Sequence, residues 1–521
     1  MLALSGGWVL ALACGSRTGL APGRVVLDGE GGEPPTMELP ECTLAAECPQ
    51  PPPGQCGVAS CTEGKCQLEL GPICDDDDPC TVDTCEAQQC SHTDGHVDAD
   101  GDGVAAIGTS ADPTAPLGCG KDCDDANEGV FPGAVELCDS IDNDCNGIID
   151  DGTGLEAPTS EPVRVSPTDA EQSSASGLDF DGEAFGATMT VKSGNWQGHF
   201  RRLDRAGNPL GDSQRVARVN AESYGGPLIW TGERYLTAYD DARQDGNYEI
   251  YFNLLNRDGE RLNEDLRVTT ADDYSLRPSI VWTGVEGLLV WDDRRFEDGS
   301  DNSAIFGQRI SLEGQLLGSN VRLTPPGVQG EGASIALSDS GVGVAFVSLS
   351  SAVDETRIQF LTASRALENP SDVTTIDFAN ADNPVVSALG SKYVVTFHQD
   401  TGVIGPSIFG VVIGPQGVER GPQSMTVGGT YARSNATYSY GDRFVMVWAE
   451  KGPNYQLYAQ VFGPNLAPLS ARLRVTNTET DTIGPALARS SDGGLGILYT
   501  DETEEQTYFT KLNCVERFNL D

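Results

Sequence analysis

The sequence predicts a mainly β protein in which two small modules, one disulfide-rich and one acidic, precede a C-terminal seven-bladed β-propeller. Three observations support this prediction. A pair of short apolar runs around a glycine turn recurs seven times, cysteines crowd the N-terminal third, and acidic residues crowd the segment after them. With 521 residues, the chain is long enough for several domains and a sizeable core.

The N-terminal segment, MLALSGGWVLALAC, is apolar and uncharged, and it is too short for a permanent transmembrane helix. We expect residues 1–14 to be a signal peptide. Because LALAC resembles a bacterial lipobox, Cys14 is expected to carry a lipid. The alternatives are an ordinary cleaved signal, which would make the protein secreted, and a buried N-terminal segment. Residues 15–41 are rich in Gly and Pro and are predicted to be a flexible tether.

Cysteines define the next segment, residues 42–93. Of the 15 cysteines, nine lie from Cys42 to Cys90, four from Cys119 to Cys145, and the others are Cys14 and Cys514. Dense cysteine in short, loop-rich stretches is typical of disulfides in an oxidising compartment. The alternative is a zinc cluster, but the chain has no CxxC pair and only four histidines. We therefore predict a disulfide-held, cysteine-rich stalk.

The end of the stalk, CDDDDPCTVDTCEAQQCSHT, resembles the short CTDC-type repeat of slime-mould and bacterial surface proteins through Cys74, Cys80, Cys85 and Cys90. The resemblance implies an extracellular spacer without chemistry of its own. Nine stalk cysteines is an odd number, so Cys514 is expected to bond to one of them.

Residues 94–154 form the acidic module. Carboxylates alternate before a glycine in DADGDG and again in DNDCNGIIDD, and DCDDAN lies between these two stretches. Alternate residues of a curled loop direct their oxygens at one centre, and oxygen ligands suit a hard cation, Ca²⁺ before Mg²⁺. Neither loop is an EF-hand, because Thr109 and Thr153 stand where the acidic twelfth residue belongs. The predicted ligands are Asp98, Asp100, Asp102, Asp122, Asp124, Asp125, Asn127, Asp142, Asp144, Asn146 and Asp150.

The second loop is similar to the loops of thrombospondin type 3 repeats, and the whole module resembles the MopE-type metal-binding motif. The DCDD, FPGA and CDSIDNDCNG blocks carry the latter resemblance. It implies a bound metal, which we expect to be calcium, with another divalent ion or an acidic loop that binds nothing tightly as alternatives. Cys119 and Cys123 are further disulfide candidates, and Cys138 and Cys145 are expected to close the loop around the ion. Removing the metal is then expected to destabilise the module and leave the propeller nearly unchanged.

The propeller prediction covers residues 155–514, with 515–521 as a tail. Each repeat of about 50 residues has a β-rich run, a glycine turn and a second apolar run, then a second turn and a final short strand. Four short strands per repeat indicate a propeller blade, and the density of turns excludes a helical solenoid. The first turn of each repeat lies at Gly182, Gly232, Gly284, Gly341, Gly390, Gly441 and Gly493.

The last repeat lacks an outer strand, and a strand of the outer type, PVRVS at 162–166, precedes the first hairpin. We predict that residues 162–166 complete the seventh blade and close the ring, which removes two exposed sheet edges.

Composition and motifs limit the function. Lys and Arg total 33 against 78 Asp and Glu, and the net charge of −45 argues against nucleic acid or lipid headgroups as partners. The loops DDARQDGNYE and DDRRFEDGSDNS combine acids with arginines, as some carbohydrate-active propellers do, but their recurrence in successive blades is explained by the repeat itself. No nucleophile elbow, phosphate-binding loop or HExxH motif is present.

The sequence thus predicts a non-enzymatic, calcium-stabilised lipoprotein of the bacterial outer membrane or cell surface. Its propeller is expected to be displayed at the cell surface and to bind an extracellular protein or polysaccharide. Contact with the membrane is expected only through the lipid. The alternatives are a propeller enzyme that acts on extracellular polysaccharide in the manner of a glycosidase or lyase, and a purely structural protein of the cell envelope.

Overall fold

A computed structural model describes the chain in two compact units, Met1–Gly95 and His96–Asp521. The described residues are 42–51, 55–74, 81–86, 89–94, 99–104, 121–139, 141–150, 153–244, 246–271, 273–295, 303–350, 355–376, 380–400, 406–426 and 431–516. The predicted tether, the predicted signal peptide with Cys14, and Asp98, Cys80 and Cys119 lie outside these ranges. In the described part of the chain, no helix is both long and apolar enough to cross a membrane.

The first unit is built from two hairpins and a single 3₁₀ turn, Ala45–Glu47. Its strands are β1 (Gln55–Thr62), β2 (Lys65–Ile73), β3 (Thr81–Glu86) and β4 (Gln89–Asp94), which pair as β1–β2 and β3–β4. The first hairpin turns at Glu63 and Gly64, which both have positive φ, as a tight hairpin turn requires.

Disulfides replace an apolar core in this unit. The pairs are Cys42–Cys61, Cys48–Cys66, Cys56–Cys85 and Cys74–Cys90. The last two bonds join the two hairpins, so neither hairpin depends on its own small apolar surface for stability. The prediction of disulfides is confirmed at these eight cysteines, whose sulfurs are therefore not available as zinc ligands.

The second unit contains the seven-bladed propeller, which confirms the predicted fold class. Blades one to six are antiparallel four-stranded sheets. Their strands are β7 (Gln172–Phe180), β8 (Phe185–Ser193), β9 (Asn195–Leu203), β10 (Gln214–Arg215); β11 (Leu228–Trp230), β12 (Tyr235–Gln244), β13 (Asn247–Leu255), β14 (Leu266–Arg267); β15 (Ser275–Trp282), β16 (Glu286–Asp293), β17 (Ala304–Ser311), β18 (Leu316–Arg322); β19 (Glu331–Ser338), β20 (Gly341–Ser350), β21 (Glu355–Ala363), β22 (Thr374–Ile376); β23 (Ala381–Leu389), β24 (Lys392–Asp400), β25 (Pro406–Gly414), β26 (Gly417–Ser424); and β27 (Ala432–Tyr440), β28 (Arg443–Lys451), β29 (Tyr455–Phe462), β30 (Leu473–Arg474).

Blade seven combines the two ends of this unit. Its strands β31 (Thr482–Arg489), β32 (Leu495–Asp501) and β33 (Gln506–Glu516) are joined by β6 (Val163–Arg164), which pairs with Tyr508 and Phe509. The far end of β33 pairs with β5 (Thr153–Glu156). The chain that enters the propeller therefore supplies the outer edge of its last blade.

The core lies between blades. The cluster that joins blades seven and one contains Val165, Phe185, Leu498 and Phe509, all buried. First strands of neighbouring blades contact one another, as β27 does β31 and β31 does β7, so they line the central channel. The seven predicted first turns all have a glycine at positive φ, which lets each hairpin reverse in two to five residues.

Candidate metal centre

The acidic module is described over 99–104, 121–139 and 141–150, within the same compact unit as the propeller. It has almost no regular secondary structure, and its loops turn at Gly101, Gly103, Gly133 and Gly147, which all have positive φ. Since the segment cannot bury a core of its own, cross-links and ligands must hold it together.

The disulfides of the module differ from the predicted pairing. Cys123 bonds to Cys145, and Cys138 bonds to Cys514 at the end of blade seven. The expectations that Cys138 pairs with Cys145 and that Cys514 pairs with a stalk cysteine are therefore wrong. The physical reason is the fold: β33 returns to the start of the propeller beside β5 and so brings Cys514 next to the module.

The first acidic cluster joins two separate stretches of the module. Asp100, Asp122 and Asp125 each place a carboxylate oxygen within 4.8 Å of the others. Asp122 is 1% exposed, and its Oδ1 accepts the backbone N–H of Asp124 at 2.9 Å. Among the described residues, Oδ2 of Asp122 and Oδ2 of Asp102 are buried without a hydrogen-bond partner. Leaving a buried carboxylate oxygen without a donor or a cation is unfavourable, so this geometry fits a small bound cation.

The second cluster contains a residue that sequence reasoning missed. Glu136, which is 6% exposed, brings a carboxylate oxygen within 4.8 Å of those of Asp142 and Asp144. Its Oε1 accepts the N–H of Asp144 at 2.8 Å, and Asp142 Oδ2 accepts the N–H of Gly147 at 2.7 Å. The signal for Glu136 was its place in FPGAVELC, directly before the loop, but it lies outside the alternating pattern on which the prediction depended.

The other predicted ligands have different surroundings. Asp124 is exposed, Asn127 Oδ1 accepts the N–H of Gly129 at 3.3 Å, and Asn146 Oδ1 accepts the N–H of Ile148 at 2.9 Å. Asp150 is fully buried in an ion pair with Arg489 of blade seven. An arginine brought by the propeller thus compensates the charge of Asp150, which the sequence prediction had assigned to the metal.

The chemistry of both clusters is that of oxygen ligands. Lys121 is the one Lys or Arg between residues 94 and 154, and its side chain is exposed. Carboxylates a few ångströms apart repel one another strongly where water is excluded, and a divalent ion converts that repulsion into coordination. In the described residues the cysteines near these clusters are disulfide-bonded, so no thiolate is offered to a soft metal.

The module packs against the face of the propeller that is formed by the turns between first and second strands. Ile148 and Ile149 pack over the turn at Gly441, where a Cβ would lie 3.2 Å from the backbone N of Ile149. Arg489, which binds Asp150, also lies over the ring of Tyr440 at 4.2 Å. Together with Cys138–Cys514 and the β5–β33 pairing, these contacts tie the second acidic cluster to blades six and seven.

The acid–arginine loops of the propeller form a repeated structural arrangement. Arg243 binds Asp241 through two hydrogen bonds of 2.8 and 2.7 Å and lies 4.0 Å from the ring centre of Tyr251. Arg295 repeats this with Asp293 and Phe306, at 4.2 Å from the ring. Their guanidinium groups are therefore engaged inside their own blades.

First strands of blades three to seven surround a cavity of about 540 Å³ in the central channel. Its polar lining includes Arg277, Glu331, Asp382 and Asn435. The guanidinium of Arg277 binds Asp292 at 2.5 Å and Glu331 at 3.0 Å. The channel thus combines acids with an arginine that the protein's own carboxylates already bind.

Comparison with known proteins agrees with the metal-site geometry. Residues 122–151 match the family model Cu-binding_MopE, whose description is "Putative metal-binding motif". The matched range includes Asp122, Asp125 and all three members of the second cluster. No curated protein sequence matches the chain.

Solved structures match the chain at low sequence identity and with low TM-scores. A protein of unknown function from Dyadobacter fermentans is 9% identical, with a TM-score of 0.44 over 70% of this chain and 99% of that one. A Mycobacterium tuberculosis puromycin-hydrolyzing peptidase is 13% identical (TM-score 0.40; 73% and 54%). An endo-arabinase from Bacteroides thetaiotaomicron is 13% identical (TM-score 0.33; 55% and 92%). These values are too low for the three structures to bear on the function of this chain.

Proposed function

We propose that the chain is an exported surface protein in which a calcium-loaded module stabilises a propeller that binds an extracellular partner. The observation that carries the metal assignment is the buried Asp122 carboxylate, whose Oδ2 has no donor in the described residues while Asp100 and Asp125 lie beside it. An all-oxygen ligand set favours Ca²⁺ over softer ions. Two clusters support two ions, one for each end of the module.

Calcium binding is tested on the full chain by calorimetry. Ca²⁺ at about 100 times its dissociation constant is expected to stabilise the folded state by ~2.7 kcal/mol for each site that it fills, and to raise the Tm. Asp122→Asn should remove a large part of this shift, because it withdraws a charged ligand from the first cluster.

Glu128→Gln is the matched control, since it removes the same charge from an exposed position of the same module. An equal loss in both variants would mean that the shift reflects general charge screening. A wild-type chain with no Ca²⁺-dependent shift would overturn the metal assignment.

Export is supported by the six disulfides, which persist in oxidising compartments. The proposed anchor is a lipid on Cys14, which follows an apolar segment. Cys14→Ser should move the protein from the membrane fraction to the soluble fraction of expressing cells. Unchanged partition of the variant would contradict the anchor.

The second candidate function is action on a polysaccharide in the channel. It is favoured by Glu331 and Asp382 in the lining and by Asp240 and Asp292 next to Arg277. Burial raises the pKa of Asp240 to about 7 and that of Asp292 to about 6, which is the range useful to a general acid. Release of new reducing ends by the wild type, and its loss in Glu331→Gln, would establish this function over simple binding.

A further inference from the structure

A row of four aromatic side chains runs across blades one to three of the propeller. It consists of Trp196, Tyr224, Tyr248 and Tyr274, and we call it the aromatic row. Successive ring centres are 6.3, 5.9 and 5.9 Å apart, so each ring touches the next. All four side chains are partly exposed, and Tyr274 is 39% exposed.

The aromatic row lies on the face opposite the acidic module. The module contacts the turns between first and second strands, at Gly441 and Gly493. Trp196 pairs with Lys192 at the other end of β8, and Tyr248 lies near the corresponding end of β12 and β13. A strand of nine residues spans about 30 Å, so a metal ion held by the second acidic cluster would not contact the row directly.

Blade packing does not account for these rings. Tyr248 directly precedes Glu249, the residue that pairs with the buried Asp241. The same position in blades three and seven holds Ser303 and Glu505. A blade therefore folds with a small or charged side chain there, and the rings of blades one and two need another explanation.

Blade six also has an aromatic residue at this position, but in different surroundings. The ring of Tyr455 lies 4.1 Å from the guanidinium of Arg433 and 4.3 Å from the ammonium of Lys451. In the described residues it belongs to no row of rings. Tyr455 is therefore a matched control for Tyr248.

The aromatic row offers flat apolar faces beside hydrogen-bonding groups. The hydroxyl of Tyr224 donates to Glu222 Oε1 at 2.8 Å, and the exposed carboxylate of Glu222 can accept further donors. Sugar rings present apolar C–H faces that stack on aromatic rings and hydroxyl groups that donate to carboxylates. Nucleic-acid bases also stack, but the net charge of −45 repels their phosphates.

We propose that the aromatic row binds a neutral polysaccharide chain, with successive sugar rings lying along Trp196, Tyr224, Tyr248 and Tyr274. This inference rests on the proposed binding role of the propeller and names the chemical class of its partner. It also assigns the contact to the face away from the metal module, so the two functions occupy separate faces.

Affinity electrophoresis in native gels tests the proposal with the full Ca²⁺-loaded chain. The gels contain dissolved laminarin, mannan or soluble starch, and the migration of wild type, Tyr248→Ala and Tyr455→Ala is compared. At least one polymer is expected to retard the wild type and Tyr455→Ala equally. Tyr248→Ala should bind about tenfold more weakly, because it interrupts the row at its centre.

Unchanged melting temperatures of both variants would show that the differences arise at the surface. Quenching of tryptophan fluorescence by the bound polymer, lost in Trp196→Phe, provides a second measurement. Retardation that Tyr248→Ala retains would overturn the aromatic row as the site while supporting a binding propeller. If no polymer retards the wild type, the proposal that the aromatic row binds polysaccharide is wrong. If a protein partner is then captured equally by all variants, only the more general proposal of a binding propeller remains.

Discussion

At the residue scale, the negative charges of buried carboxylates in the acidic motif are balanced in two different ways. Asp122 is buried among other carboxylates, which is the surrounding of a metal ligand. Asp150 is equally buried but is bound by Arg489. Two aspartates of one motif thus have different roles, because a buried charge is compensated by whichever cation the fold brings to it.

Asp240 leads to a prediction on pH. Its Oδ1 accepts the N–H of Arg277 at 3.1 Å, and burial raises its pKa to about 7 from an ordinary value near 3.8. Between these values the folded state binds a proton that the unfolded state lacks, so this group's contribution to stability falls as pH rises from about 4 to about 7. In Asp240→Asn the amide oxygen can still accept the N–H of Arg277, and the change in charge is absent.

We therefore expect the wild-type Tm to fall more than that of Asp240→Asn over this pH range, by about 2 °C. Thermal melts at several pH values from 4.5 to 7.5 measure the difference. Asp212→Asn, at an exposed position, is the control and should follow the wild type. Parallel curves for wild type and Asp240→Asn would contradict the raised pKa.

At the scale of elements, the ring is linked by hydrogen bonds in which a second-strand side chain of one blade accepts a backbone N–H at or just before the first strand of the next blade. Thr190 Oγ1 accepts the N–H of Gly225 at 2.9 Å, as Asp240 does that of Arg277. Thr500 of blade seven accepts the N–H of Ala175 of blade one at 2.9 Å, which continues the pattern across the closure. Either a hydroxyl or a carboxylate side chain can thus accept a backbone N–H near the channel that the regular pairing of strands leaves without a partner.

The outer strands carry a second repeated device. Val165, Val268 and Val475, which follow the recurring arginine, are buried. The next residue is Ser or Thr, and the hydroxyls of Thr269 and Thr476 accept N–H groups of the third strand at 2.9 and 2.8 Å. The Arg-Val-Ser/Thr signal therefore marks the end of an outer strand, where the valine packs in the core. In two of these blades the hydroxyl of the following threonine adds one more hydrogen bond to the third strand.

At the scale of the whole molecule, the acidic module and the propeller are mechanically joined. Cys138–Cys514 spans 376 residues, and Asp150–Arg489 and β5–β33 reinforce the same junction. The sequence predicts that metal removal leaves the propeller nearly unchanged. The structure leads to a different expectation, namely that chelation lowers the stability of blade seven together with that of the module. The reason is that neither part can unfold completely while the disulfide, the ion pair and the strand pairing still hold it to the other.

The double variant Cys138→Ser/Cys514→Ser tests this coupling. In the wild type, chelation of Ca²⁺ should shift one common calorimetric transition. In the double variant, the module should melt separately and carry the Ca²⁺ dependence, while the propeller transition becomes insensitive to chelation. The lost cross-link should also lower stability, on the order of 5 kcal/mol in the chain-entropy account.

Cys123→Ser/Cys145→Ser is the control, because this bond lies inside the module and does not bridge to blade seven. It should weaken Ca²⁺ binding without separating the transitions. Two separate transitions already present in the wild type would contradict the coupling.

The sequence by itself determined the features that depend on neighbouring residues. The repeat of turns and apolar runs predicted seven blades, the cysteine density predicted disulfides, and the alternating carboxylates of the acidic module predicted the region of the metal motif. Turn glycines, the alternation of side chains along a strand and the spacing of metal ligands each depend on only a few neighbouring residues, so these patterns can be recognised in the sequence.

Only the tertiary structure decided which distant groups meet. It paired Cys138 with Cys514, bound Asp150 to Arg489, added Glu136 to Asp142 and Asp144, and aligned Trp196 with Tyr224 and Tyr248. Cysteine parity permits many connectivities, and a buried carboxylate accepts any nearby cation. The choice among these partners follows from the closure of the ring, which brings the two ends of the propeller together. The spacing of residues within a short stretch of sequence does not show which distant residues this closure places in contact.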